Sequence, residues 1–247
     1  MNKLDNSAIK PIIVAHRGAS GNAPENTFAA VSLAHSFGAQ WCEIDVQQTS
    51  DNQLVVIHDV NTVRTTGVFK WVSRNTYSEL SKLDAGGWFL SKWKNEPIPL
   101  LKELLHSAPK QAKFNIEIKA YKRKPELFKE LLTVLDDTHF AKRCIITSFN
   151  HKLIEEISSI THLRTGYIVG SRWSNRLLRT DVPIVSIDKA LINKSIAEDI
   201  HKSGKELHIW TVNNKRQFSR ISRYKPHAII TNYPEKIKHY MHQGETQ

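Results

Sequence analysis

The sequence has little of what organises small secreted or membrane proteins. Cysteine is scarce: Cys42 and Cys144 are two in 247 residues. Each lies in an apolar stretch, so buried thiols are expected rather than a disulfide or a metal-binding pair. Long apolar runs are missing as well. The first run, in "MNKLDNSAIKPIIVAHRG", is too short for a signal-peptide core and far too short to cross a bilayer. A cytoplasmic protein with no stable membrane insertion is expected. No internal repeat or low-complexity segment occurs, and 40% hydrophobic and 24% charged residues describe an ordinary globular chain. The polar end "HQGETQ" is expected to fray.

What the chain does have is length and positive charge. A single α/β barrel commonly occupies about 250 residues, so residues 1–247 are expected to form one domain with a full core. A net charge of +11 admits nucleic acid or an anionic membrane surface as a partner. The cations are widely spread, however, and the densest clusters, "YKRKPELFK" and "NNKRQFSRISRYK", are expected to be solvated helix faces. No basic repeat interleaved with aromatics supports nucleic-acid binding, so no nucleic-acid partner is expected. A general attraction for anionic substrates remains.

Eight short β-branched runs recur: "IIVAH", "WCEIDV", "FNIEIK", "CIITSF", "TGYIV", "PIVSID", "LHIWTV" and "AIITN". Helical patterns separate most of them. Asn26 or Thr27 is a candidate N-cap before "FAAVSLAHSFG", with Gly38 as its stop, and Pro125 begins a segment with leucines at helical spacing. Strands alternating with helices predict a closed parallel (β/α)8 TIM barrel. One extra run, "LVVIHD", follows the second strand after only Ser50 to Gln53, which suits an antiparallel hairpin and is too short for a parallel crossover. Pairing about that turn predicts His58 opposite Asp45. An insertion at about 60–98 follows, carrying Trp71, Trp88 and Trp93.

In such a barrel the active site lies at the C-terminal strand ends. The charged residues there are His16 and Arg17 after the first strand, Glu43 and Asp45 on the second, His58 on the hairpin, and Glu117 and Lys119 on the third. Side chains two apart share a face, so Glu43 pairs with Asp45 and Glu117 with Lys119. Burying these charges without compensation would be very costly. Three converging carboxylates make a hard-oxygen site for Mg²⁺ or Ca²⁺; a buried salt-bridge network without metal is the alternative. Arg17 and Lys119 could hold a phosphate, and two histidines of near-neutral pKa could exchange protons with it.

The segments "HRGASGNAPENT", "EIDV" with "VVIHD", "RTTG", "DAGGWF", "EPIPLLKELL", "NIEIK" and "WTVN" occur in this order from about Ile12 to Pro234. Together they closely resemble the glycerophosphodiester phosphodiesterases of the cytosolic bacterial type. The resemblance implies a TIM barrel with an insertion after the His-Asp strand. It implies His16 and His58 as the acid/base pair, and Glu43, Asp45 and Glu117 as ligands of a divalent metal, Mg²⁺ or Ca²⁺. It further implies phosphate contacts from Arg17 and Lys119, and a glycerol-side wall from Trp210. Glu25 and Asn26 would brace the site, and Asp59 would orient His58 or the insertion. Relatives commonly end the last strand with Thr-Asp, where this chain has Thr231 and Asn232. The implied reaction is hydrolysis of small glycerophosphodiesters to glycerol 3-phosphate and an alcohol. A lysophospholipase D, with the insertion tryptophans as an acyl-binding wall, is the alternative; a silent phosphate-binding barrel is a third reading.

Overall fold

The computed structural model describes residues 10–119 and 125–243. The basic stretch 121–124 and the chain end 244–247 lie outside the described residues. Among the described residues nine strands run β1 Ile12–His16, β2 Trp41–Gln48, β3 Leu54–Val56, β4 Lys113–Ile118, β5 Cys144–Ser148, β6 Arg164–Val169, β7 Ile184–Asp188, β8 Glu206–Trp210 and β9 Ala228–Thr231. All pair in parallel except β3, and β1 pairs with both β2 and β9, which closes an eight-stranded ring. This is the (β/α)8 barrel that the alternation predicts.

The helices are α1 Phe28–Ser36, α2 Val63–Thr66, α3 Tyr77–Leu80, α4 Leu101–Ser107, α5 Pro125–Asp137, α6 His151–Ile160, α7 Lys194–Lys202, α8 Lys215–Ser222 and α9 Pro234–Gln243. Thr27 caps α1 by accepting a bond from the Ala30 amide at 3.2 Å, and Gly38 follows its end with φ +85°. Between β6 and β7 the connection is only a 3₁₀ turn, Asn175–Arg179.

Alternation along β2 explains its full burial. Cys42, Ile44 and Val46 join the large core between the ring and its helices, while Trp41 belongs to a smaller cluster with Val14, Ile145, Ile184, Ala228 and Ile230. That second cluster fills the lower barrel interior. Both cysteines are free and buried, and burial pushes both thiols up, that of Cys144 to about 12.

The hairpin differs from expectation by one residue. Its register pairs Gln48 with Leu54 and Val46 with Val56, so the loop is Thr49–Gln53 rather than Ser50–Gln53. Asn52 takes φ +62° within it, and the Thr49 amide bonds the Gln53 carbonyl at 3.0 Å. The longer loop puts Ile57 opposite Asp45, with its amide 2.9 Å from the Asp45 carbonyl, and His58 one position beyond. There the Gln47 amide nitrogen lies 3.1, 3.0 and 2.6 Å from the carbonyls of Ile57, His58 and Asp59, holding the chain in place. The insertion then packs Val72, Leu80, Ala85 and Ile98 against Val55 and Ile57.

The loop after β1 depends on a close approach. A Cβ on Gly18, whose φ is +77°, would lie 2.5 Å from the Ala30 backbone carbon. Gly18→Ala is therefore expected to destabilise the protein by about 2–3 kcal/mol, read as a lowered denaturation midpoint.

Candidate active site

Strand register assembles the site. His16 is in register with Glu43, Glu43 with Asn115, and Asp45 with Glu117. Lateral neighbours on one face of a parallel ring point into the same interior layer, so the polar positions stack above the apolar interior cluster. Glu43, Asp45 and Glu117 are all buried, and one oxygen of each lies within 4.8 Å of those of the other two.

Cations surround this trio unequally. Lys119 Nζ is 2.9 Å from Asp45 Oδ1 and also hydrogen-bonds Glu117. Arg17 Nε is 3.2 Å from Asp45 Oδ2, and the Arg17 backbone amide donates to Glu43 Oε2 at 3.0 Å. Asn26 braces Asp45 twice, donating Nδ2 to Oδ2 at 2.8 Å and accepting the Asp45 amide at 3.2 Å. Glu43 Oε1 is buried with no hydrogen-bond partner. Asp45 Oδ1 likewise has no hydrogen-bond partner beyond its ion pair with Lys119. A buried carboxylate oxygen left unpaired is costly, and three hard-oxygen donors with such oxygens among them fit a divalent cation.

Protonation follows from this imbalance. Burial would raise Asp45, but Lys119 and Arg17 hold it down at about 2. Burial raises Glu43 well above the usual carboxylate range, and the charges of Asp45 and Glu117 add to the effect. Glu117 is pushed up to about 7 by burial and Asp45, against the pull of Lys119. The site thus holds protons that a cation would displace.

The histidines have different partners. His16 Nδ1 lies 2.7 Å from Asn232 Oδ1, and its Nε2 is 3.9 Å from Glu43 Oε2. An amide oxygen only accepts, so Nδ1 carries the proton and Nε2 the lone pair. Burial, then the Arg17 charge, lowers His16 to about 4. His58 Nδ1 faces a carboxylate instead, Asp59 Oδ1 at 2.6 Å. Burial lowers His58 too, while Asp45 and Asp59 oppose the shift.

His16, Arg17, Glu43, His58, Glu117, Lys119 and Trp210 line one cavity of about 420 Å³. Asn115, Phe149, Ile168, Ser186 and Ile230 complete it. Trp210 is fixed by Nε1 donating to the Ser186 carbonyl at 3.2 Å and by edge contact with Phe149 at 5.9 Å. Glu25, Asn26 and Asp59 sit behind the lining residues: Glu25 Oε1 accepts from Arg17 Nη1 at 2.9 Å. Glu25 is not among the clustered carboxylates. Trp71, Trp88 and Trp93 do not line this cavity.

Sequence reasoning missed Arg64, Gln47 and Asn115. Arg64 sends Nη1 and Nη2 to the two Glu25 oxygens at 2.8 and 2.7 Å, and Nε to Asp59 Oδ2 at 2.6 Å. It joins the partner of Arg17 to the partner of His58. Its signal was the arginine of "RTTG", which spacing alone does not bring to the barrel mouth. Asn115, on the same face of β4 as Glu117, accepts from Thr147 Oγ1 at 2.8 Å.

The family model of the glycerophosphoryl diester phosphodiesterases matches residues 16–236. The chain belongs to this family. It is accordingly a phosphoric diester hydrolase. It is 35% identical over 243 residues to a glycerophosphodiester phosphodiesterase of Caldanaerobacter subterraneus, covering 96% of this chain and 100% of that one. Human lysophospholipase D is 26% identical over 269 residues, with 93% of this chain and 85% of the relative covered. Among solved structures, an Oleispira antarctica phosphodiesterase in complex with the product sn-glycerol-3-phosphate superposes with a TM-score of 0.85 at 28% identity, covering 94% of this chain and 97% of that one.

Two tests follow from a glycerophosphoryl diester phosphodiesterase site built in this way. Added Mg²⁺ or Ca²⁺ should raise the melting temperature more at pH 8 than at pH 5, because Glu117, at about 7, gives up its proton across that interval. Calorimetry in two buffers should show proton release on binding, reduced in Glu117→Gln; a pH-independent shift would contradict the proton-holding trio. Arg64→Ala should lower kcat by about 10- to 100-fold with a smaller change in KM, and Arg64→Lys should recover only part of it. Steady-state kinetics decides this.

Proposed function

We propose that this chain hydrolyses glycerophosphodiesters of small alcohols, such as glycerophosphocholine and glycerophosphoethanolamine, to glycerol 3-phosphate and the free alcohol. The observation that carries the reading is the meeting of His16, His58, Arg17 and Lys119 with Glu43 and Glu117 in one cavity, with Asp45 clustered beside those two carboxylates. The cavity opens to solvent, and a diester entering it would set its phosphate among these charges. The sn-glycerol-3-phosphate bound by the Oleispira antarctica relative supports the product class.

In this reading Arg17 and Lys119 bind the phosphoryl oxygens, the first as a fork and the second as a point charge. Glu43, Asp45 and Glu117 would hold Mg²⁺ or Ca²⁺, which when bound supplies neutralisation of phosphoryl charge and polarisation of the nucleophile. His16, with a neutral partner and a low pKa, presents the unprotonated Nε2 that takes the proton of the attacking hydroxyl, from water or from the 2-hydroxyl of the glycerol. His58, backed by the Asp59 carboxylate, protonates the departing alcohol oxygen. Asp59 and Arg64 keep its ring oriented. Trp210 and Phe149 wall the glycerol end. Residues 1–247 act as one catalytic domain in the cytoplasm, with 60–98 as its insertion.

The name of the human relative favours a second reading, lysophospholipid cleavage. Against it, the insertion tryptophans do not line the cavity. Metal-stripped protein incubated with glycerophosphocholine or lysophosphatidylcholine, with and without Mg²⁺ or Ca²⁺, separates the two. Metal-dependent release of glycerol 3-phosphate is expected, reduced at least about 100-fold in His16→Ala, His58→Ala and Glu117→Gln. Lysophosphatidic acid as the main product would move the enzyme to lipids, and no product from either substrate would leave a silent phosphate-binding barrel.

A further inference from the structure

The insertion carries an apolar tip that the catalytic reading leaves unused. After Asp59 the chain makes a short hairpin: Asn61 bridges Trp71, the Thr62 amide bonds the Lys70 carbonyl at 3.1 Å, and the turn passes through α2 and Gly67 at φ +72°. Its outer residues are apolar yet solvent-facing: Val63 and Val68 are each 45% exposed, Phe69 56% and Trp71 39%. Phe69 and Trp71 stack edge to face at 5.3 Å, forming one aromatic unit. Four such residues on one hairpin make a patch rather than scattered surface apolar atoms.

The cations beside this patch narrow what could cover it. The Arg74 guanidinium lies 5.8 Å above the Trp71 ring, and Lys70 adjoins Phe69. Lys70 donates to Asn75 at 3.1 Å, with Glu79 at 3.9 Å its nearest acidic neighbour. A second copy would bring the same cations and the same net +11 face to face. An acidic surface is attracted instead, and aromatic residues flanked by lysine and arginine suit the interfacial layer of a bilayer.

We propose that the Val63–Trp71 hairpin docks this protein on the surface of an anionic phospholipid bilayer, peripherally and without a spanning segment. No helix among the described residues is long and apolar enough to cross a membrane. Arg64, on the same hairpin, is bonded to Glu25 and Asp59, the partners of Arg17 and His58, so a docked tip lies close to the cavity that those two residues line. The proposal stands on the hairpin alone and does not require the substrate assignment.

Co-sedimentation with vesicles of phosphatidylglycerol and phosphatidylcholine, compared with pure phosphatidylcholine, tests it. Wild-type protein should pellet with the anionic vesicles and be released by salt, with a Val68→Ser/Phe69→Ser variant binding at least about tenfold more weakly. Hydrolysis of soluble glycerophosphocholine, run in parallel, should be unchanged in that variant; its loss would overturn the separation of tip from site, whereas a silent wild-type enzyme that still pellets would fault only the substrate assignment. Binding that is absent, or equal in the variant, overturns docking. A dimer at micromolar concentration that the double substitution dissolves would assign the tip to a second copy and overturn it equally.

Discussion

The site depends on one constraint, the burial of three carboxylates on adjacent faces of β2 and β4. An unpaired buried carboxylate costs several kcal/mol, so the fold must bring compensation or leave protons in place. It does both. Asp45, surrounded by Lys119, Arg17 and Asn26, stays ionised, whereas Glu43 and Glu117 are held above their ordinary range by burial and by Asp45. Arg17 and Lys119 are placed by the same need, since each meets Asp45. One ionised and two proton-holding acids leave room for a further cation, which two lysines or arginines packed on every oxygen would not.

The loop after β1 is shaped to satisfy that demand. Arg17 and Asn26 both take left-handed backbone, with φ +57° and +59°. For a residue other than glycine this costs on the order of 1 kcal/mol, less for asparagine. In return Arg17 aims its backbone amide at Glu43 and its side chain at Asp45 at once, and Asn26 reaches both the side chain and the amide of Asp45. Gly18, pressed against Ala30, lets the loop and α1 approach closely enough for both.

Legibility in the sequence followed the range of the interactions. Barrel strands were readable because each is a contiguous apolar run, and the acid pairs because alternation puts residues two apart on one face. The cap of α1 was readable locally only as Asn26 or Thr27, because both residue types can accept a first-turn amide; Thr27 takes the role. The register of the hairpin was not: Thr49 joining the loop is a choice between nearly equivalent turns, and it moved His58 by one position. The tryptophans of the insertion show the opposite limit. Composition marks them as apolar, but only three-dimensional packing decides whether an apolar residue faces the cavity, the core or solvent. Arg64 was hidden because its partners, Glu25 and Asp59, are brought together by the barrel and not by spacing.

Arg64 also changes what the insertion is. Two chains of contacts leave the cavity, one from Asp45 through Arg17 to Glu25 and the other from His58 to Asp59, and both end on this guanidinium. Because its planar fork holds two carboxylates at fixed angles, displacing α2 would disturb Arg17 and His58 together. No residue of the insertion lines the cavity, yet its position and the geometry of the site are linked through Arg64.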